Sequence, residues 1–180
     1  MATKKKSKKS SKQTKKRQRR KGLKTFFICL LAALIVAALV RLVWIETVHV
    51  TSEAMSPEYI SGDMVAVNKL IDVTKIDRGD TVYASVNGFK LIRRVAGVEG
   101  DLIDVRDGVK YLVNSETGEE IRLGDAPGLN YGTIPHGAYC LLNLLIEDEA
   151  PDSRGLGLVM RTSIIGEPAG ILWPPSRMFR

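Results

Sequence analysis

The sequence predicts a mainly β extracytoplasmic domain carried on a single N-terminal transmembrane helix. Three observations predict it. An apolar run long enough to cross a bilayer follows a dense block of lysine and arginine. Beyond that run, short apolar alternations succeed one another with turn dipeptides between them, the pattern of half-buried strands. Convincing helical periodicity is missing before about residue 140.

The basic block comes first. Residues 1–25 hold thirteen of the 27 Lys and Arg residues and no acid, so the whole-chain charge of +7 hides a remainder with 14 basic against 20 acidic residues. A one-sign block interleaved with Ser, Thr and Gln has almost nothing apolar to bury and is expected to be disordered. It lacks the aromatic or glycine pattern that base stacking needs, so no nucleic-acid partner is expected. Its charges favour a membrane lipid surface, at roughly 1 kcal/mol for each residue near anionic headgroups.

Phe26 to Val40 is unbroken apolar sequence, and Leu42 to Ile45 extend it past Arg41. Twenty residues at roughly 1.5 Å each match a hydrocarbon core of about 30 Å. Arg41 lies close enough to the outer end to snorkel, and Trp44 sits at interface depth. By the positive-inside rule residues 1–25 are cytoplasmic, 26–45 span the cell membrane once, and 46–180 form the outer domain. A cleaved leader shares the charged start and the apolar run. The run is long for that, and the first small-x-small triplet after it, Ser52-Glu53-Ala54, falls inside a motif described below. Cys29 and Cys140 are therefore expected on different sides of the membrane surface and unbridged.

In the outer domain, Asp80 to Val86 and Phe89 to Gly97 flank Asn87-Gly88, the strongest short hairpin signal, because a type I′ turn needs positive φ at both central residues. Asp107-Gly108 turns a second hairpin from Leu102–Val105 into Lys110–Val113. Thr117-Gly118 precedes a short strand over 119–123, and residues 124–136, rich in Gly and Pro, read as an irregular loop. Ala138 to Leu145, apolar except for Asn143, reads as a buried strand, with Cys140 a small core residue.

One segment carries more than fold information. Residues 51–69 read Thr51-Ser52-Glu53-Ala54-Met55-Ser56-Pro57-Glu58-Tyr59-Ile60-Ser61-Gly62-Asp63-Met64-Val65-Ala66-Val67-Asn68-Lys69. This resembles the signature box of the type I signal peptidase family, roughly S-x-S-M-x-P-T-L-x-x-G-D-x-V-x-V-x-K. Further matches are Arg78-Gly79-Asp80-Thr81-Val82-Tyr83, the stretch Arg93-Arg94-Val95-Ala96-Gly97-Val98-Glu99-Gly100-Asp101 against K-R-x-x-G-x-P-G-D, and Asp152-Ser153-Arg154 with Gly157 in a poorly matching context. The tail around Ile164-Ile165-Gly166 and Ile171–Pro174 follows the family's spacing.

The resemblance implies a membrane-bound Ser/Lys endopeptidase with a signal-peptidase-like β fold, acting on signal peptides or exported proteins, and needing no cofactor. It also implies that the chemistry is missing. The family's nucleophilic serine falls at Ala54, and its general-base lysine at Arg93. A serine that orients the lysine falls at Ala150. Ser52 occupies the oxyanion position, Met55 and Pro57 border the substrate site, and Asp152 with Arg154 form a structural ion pair. A Ser/Lys hydrolase needs a hydroxyl, a neutral amine and oxyanion donors. A lysine can be desolvated until neutral, whereas a guanidinium stays protonated, so Arg93 cannot accept the proton.

The expected function is thus an inactive pseudo-peptidase that binds exported or surface-assembled proteins. The alternative is an active signal peptidase with relocated residues, using Ser52 or Ser56 as nucleophile and Lys90 as base. Lys90, three residues from Arg93 on a strand, is expected to face the other way, and Pro57 restricts the backbone at Ser56. His49 and His136 lack triad spacing, and two His with two separated Cys give no metal-site pattern.

Overall fold

Turn chemistry sets the frame of the domain. The computed structural model describes residues 24, 26–39, 44–145 and 148–178, and it divides into two units, Met1–Val43 and Trp44–Arg180. In the first unit, residues 26–39 are helical. Among the described residues no helix is long and apolar enough to cross a membrane. The basic tail apart from Lys24, and residues 40–43 of the expected span, lie outside the described residues. Ile45, the last residue of that expected span, already belongs to a strand.

The second unit is mainly β. Its strands are β1 (Ile45–His49), β2 (Met64–Asn68), β3 (Thr81–Val86), β4 (Phe89–Gly97), β5 (Leu102–Arg106), β6 (Val109–Val113), β7 (Glu120–Gly124), β8 (Gly132–Thr133), β9 (Ala138–Leu142), β10 (Val159–Met160) and β11 (Ile164–Trp173). A one-turn helix, α1 (Ser153–Leu156), follows β9. Both expected turns form. Asn87 and Gly88 have φ of 50° and 85°, and Asp107 and Gly108 have 52° and 79°, the left-handed pair that a two-residue hairpin needs. The first turn pairs Val86 with Phe89 and holds the register down to Thr81 with Arg94.

All pairings are antiparallel. Seven strands run in the order β1-β2-β11-β3-β4-β9-β10, and four in the order β7-β6-β5-β8. The long C-terminal strand β11 is inserted between β2 and β3, which ties the end of the domain to its beginning. Pro168 can sit in this interior strand because the register shifts beside it, between Pro168 and Gly170, where the missing N–H is tolerated. Gly166 is required by close approach: a Cβ there would lie 2.3 Å from the Asn68 carbonyl oxygen.

Strand alternation divides the apolar residues into layers. Val82, Ala84, Leu91, Val95, Tyr139, Leu141, Val159 and Ile164 pack on one face of the large sheet. Tyr83 and Ile92 point the other way and join Met55, Tyr59, Val65 and Val67. A third cluster lies between β9 and the small sheet, where Ala138 and Cys140 meet Ile103, Leu112, Leu129 and Ile134. Cys140 is fully buried and free, and burial pushes its thiol up to about 12, as expected of a core residue.

Three expectations change. The buried strand expected over 138–145 stops at Leu142, because the buried Asn143 side chain leaves the ladder and donates to the carbonyls of Asp148 and Ala150, at 3.0 and 2.9 Å. The loop over 124–136 contributes the two-residue strand β8, which closes the edge of β5. His136, expected to have no partner, sits 2.5 Å from Glu99 through Nδ1 at the exposed surface.

Candidate functional site

The loop between β1 and β2 carries Ser52, Ala54 and Met55, and local hydrogen bonds fix its path. Ser56 N–H donates to Glu53 at 2.8 Å, Tyr59 N–H to Met55 at 2.9 Å, and Val50 N–H to Asp63 at 2.8 Å. The Asp63 carboxylate is buried beneath the loop, accepting from Ile60 N–H at 3.0 Å and from Arg177 Nε at 3.2 Å. Ala54 is fully buried, and its carbonyl accepts the Leu145 N–H at 2.9 Å. That bond joins the loop to the segment after β9.

Beside this loop lies a cleft of about 160 Å³ whose wall includes Ser52, Met55, Lys90, Arg93, Ala150 and Pro151. The structure therefore brings together Ser52 and Met55 from the first motif, Arg93 from the second, and Ala150 from the third. Ala54 supports the cleft from beneath and does not line it. Pro57 does not line it either: it is exposed, and its carbonyl accepts from Arg177 Nη2 at 3.2 Å.

Arg93 and Lys90 of β4 both line the cleft but find different partners. Arg93 is 5 % exposed. Its Nε donates to the Pro151 carbonyl at 3.0 Å and its Nη1 to the Ile92 carbonyl at 2.6 Å. Burial lowers its pKa, and the fields of Asp152 and Asp148 oppose that shift. A guanidinium so placed remains a cation with donors only, and cannot act as a base. Lys90 Nζ lies 3.1 Å from Glu46 Oε1, and that hydrogen bond raises the Lys90 pKa. The same bond lowers the Glu46 pKa. Lys69 Nζ, 3.7 Å away, and Tyr83 Oη, 3.2 Å away, also converge on Glu46. Lys90 is thus held in its protonated form, the wrong state for a relocated base. Among the described residues neither the Ser52 nor the Ser56 hydroxyl is hydrogen-bonded to a base.

The expected structural pair is formed. Arg154 Nη2 lies 2.8 Å from Asp152 Oδ2, and Arg154 Nε 2.9 Å from the same oxygen. The buried Asp152 also caps α1 through Arg154 N–H at 2.9 Å and accepts the Asn143 N–H at 3.2 Å. One carboxylate thereby fixes both ends of the segment that delivers Ala150 and Pro151 to the cleft.

Sequence reasoning missed Glu46, Asn143 and Phe89. Glu46 acts across 44 positions of sequence on Lys90, so no local signal marks it. Asn143 had one, a lone amide in an apolar run, since a buried amide must find partners. Phe89 lines the cleft while remaining half exposed. Among the described residues no group of three or more His, Cys, Asp and Glu side chains could hold a metal ion.

The chain is similar in sequence to known proteins of one family. The family model described as signal peptidase, peptidase S26, matches residues 23–173. Signal peptidase IB of Staphylococcus aureus strain N315 is 25 % identical over 175 residues, covering 86 % of this chain and 91 % of that protein. Signal peptidase I P of Bacillus subtilis subsp. natto is 27 % identical over 163 residues, covering 83 % and 88 %. A crystal structure of a signal peptidase I from Enterococcus faecalis V583 aligns with a TM-score of 0.38 at 22 % identity, covering 52 % of this chain and 96 % of that one.

Proposed function

We propose that this chain, which belongs to the signal peptidase family, peptidase S26, binds an extended segment of an exported protein at the membrane without cleaving it. The observation that carries this reading is the pair of side chains at the reacting positions. Ala54 offers no hydroxyl, and Arg93, buried and hydrogen-bonded through Nε and Nη1, offers no lone pair. Acyl transfer by this family's route needs both.

Two strand edges support the binding half of the reading. β1 is the outer strand of its sheet, and residues 89–93 of β4 pair with β3 alone, since pairing with β9 begins only at Arg94. Residues 48–52 and 89–93 both border the cleft. An extended peptide can add to such edges by main-chain hydrogen bonds, with alternate side chains entering the apolar wall. The basic tail and apolar run of the sequence support a site at the cell membrane with this domain outside. Relocated chemistry is disfavoured by Lys90, which Glu46 holds protonated.

Cleavage of a preprotein by the purified full-length chain in detergent tests this, run beside the Ala54→Ser plus Arg93→Lys double variant. The unmodified chain is expected to release no mature protein, and the double variant to regain measurable cleavage. Cleavage by the unmodified chain overturns the reading.

A further inference from the structure

The cleft is apolar for much of its wall, and the charged side chains that line it, Lys90 and Arg93, are both cationic. They differ in how that charge is met. Lys90 is 60 % exposed and has its counter-ion in Glu46 at 3.1 Å. Arg93 is 95 % buried, and among the described residues it forms no ion pair. Two of its five N–H groups are used by main-chain carbonyls, which leaves three that no protein acceptor among the described residues meets. Asp152, the strongest opposing field, is committed to Arg154 at 2.8 Å. Burying a charge without a counter-ion is costly, and an anion that arrives with matching acceptors recovers much of that cost.

We propose that Arg93 is the receptor for the free C-terminal carboxylate of a peptide lying in the cleft. This rests on the peptide-binding reading above and specifies the ligand: a chain that ends at the cleft, such as a leader already cut elsewhere, and not one that passes through it uncut. The position explains the choice of a terminus over an acidic side chain. Arg93 ends the run of β4 backbone left unpaired on its outer side, and from Arg94 onward β9 occupies that edge. A strand added along residues 89–93 therefore meets a stop where the guanidinium sits. Met55 and Ile92 line the same cleft and suit a small apolar last residue better than a charged one.

The test measures binding of a fluorescent ten-residue peptide ending in Ala-x-Ala to the full-length chain in detergent micelles at pH 7. The free acid is compared with its C-terminal amide and with an amidated peptide whose last residue is Asp. One charge-assisted contact predicts that the acid binds about tenfold or more tightly than the amide. That preference is expected to fall below about twofold in Arg93→Gln. Arg93→Lys, which keeps the charge but has fewer donors, is expected to retain part of it, and serves if the first variant does not fold. Equal binding of acid and amide overturns the carboxylate site while leaving the peptide groove intact. An amidated Asp peptide that matches the acid overturns the assignment to a chain terminus. Failure of all three to bind overturns the groove and this site with it.

Discussion

Asp152 and Arg93 are both buried charges within the same few residues of the cleft, yet the fold treats them oppositely. Asp152 has its acceptors occupied by Asn143 N–H, Arg154 N–H and the Arg154 guanidinium. Arg93 donates to two carbonyls and has no counter-ion among the described residues. The first charge is part of the scaffold that shapes the cleft. The second lines the cleft. The same scaffold thus meets one buried charge within its own segment and leaves another, in the cleft wall, without a counter-ion among the described residues.

The contrast predicts different costs for removing each charge. Asp152→Ala leaves the Asn143 N–H without its acceptor, uncaps α1 and removes the carboxylate that pairs with the Arg154 guanidinium. Chemical denaturation should show a loss of about 3 kcal/mol. Arg93→Met removes a charge that lacks a counter-ion and replaces it with an apolar chain of similar length. Its stability should change by less than about 1 kcal/mol, because relief of desolvation offsets two lost hydrogen bonds to carbonyls. Equal losses in the two variants would break the comparison, and would mean that Arg93 is structural in the same sense as Asp152.

How much of this was legible in the sequence depended on whether the cause was local. The hairpins around Asn87-Gly88 and Asp107-Gly108 were, because two residues with positive φ dictate the turn and the turn dictates the register. The Asp152–Arg154 ion pair was legible only through the family resemblance. The insertion of β11 between β2 and β3 was not, since Pro168, Gly166 and Gly170 argue locally against a strand. Pairing on both sides, with register shifts around the proline, overrides that local preference. Glu46 was invisible for a related reason. Its meaning comes from Lys69 just after β2, Lys90 in β4 and Tyr83 in β3, which converge on it.

Glu167 in β11 sharpens the comparison from a third side, as a partly buried carboxylate with no counter-ion or hydrogen-bond donor among the described residues. Burial raises its pKa, and the nearby negative charge of Asp80 raises it further. A carboxyl whose folded pKa lies above its unfolded value binds its proton more tightly in the native state. It therefore costs nothing below the unfolded value of about 4.3. The cost develops as pH rises from the unfolded value through the folded one. Glu167→Gln should accordingly raise stability at pH 7 by about a few tenths of a kcal/mol, solvent screening keeping the effect small. At pH 3, where the carboxyl is neutral in both states, the variant and the unmodified protein should unfold at the same denaturant concentration. A gain that persists at pH 3 would trace the effect to packing or hydrogen bonding of the amide. A loss at pH 7 would show that the carboxylate has a favourable partner, placing Glu167 with Asp152 among the satisfied charges.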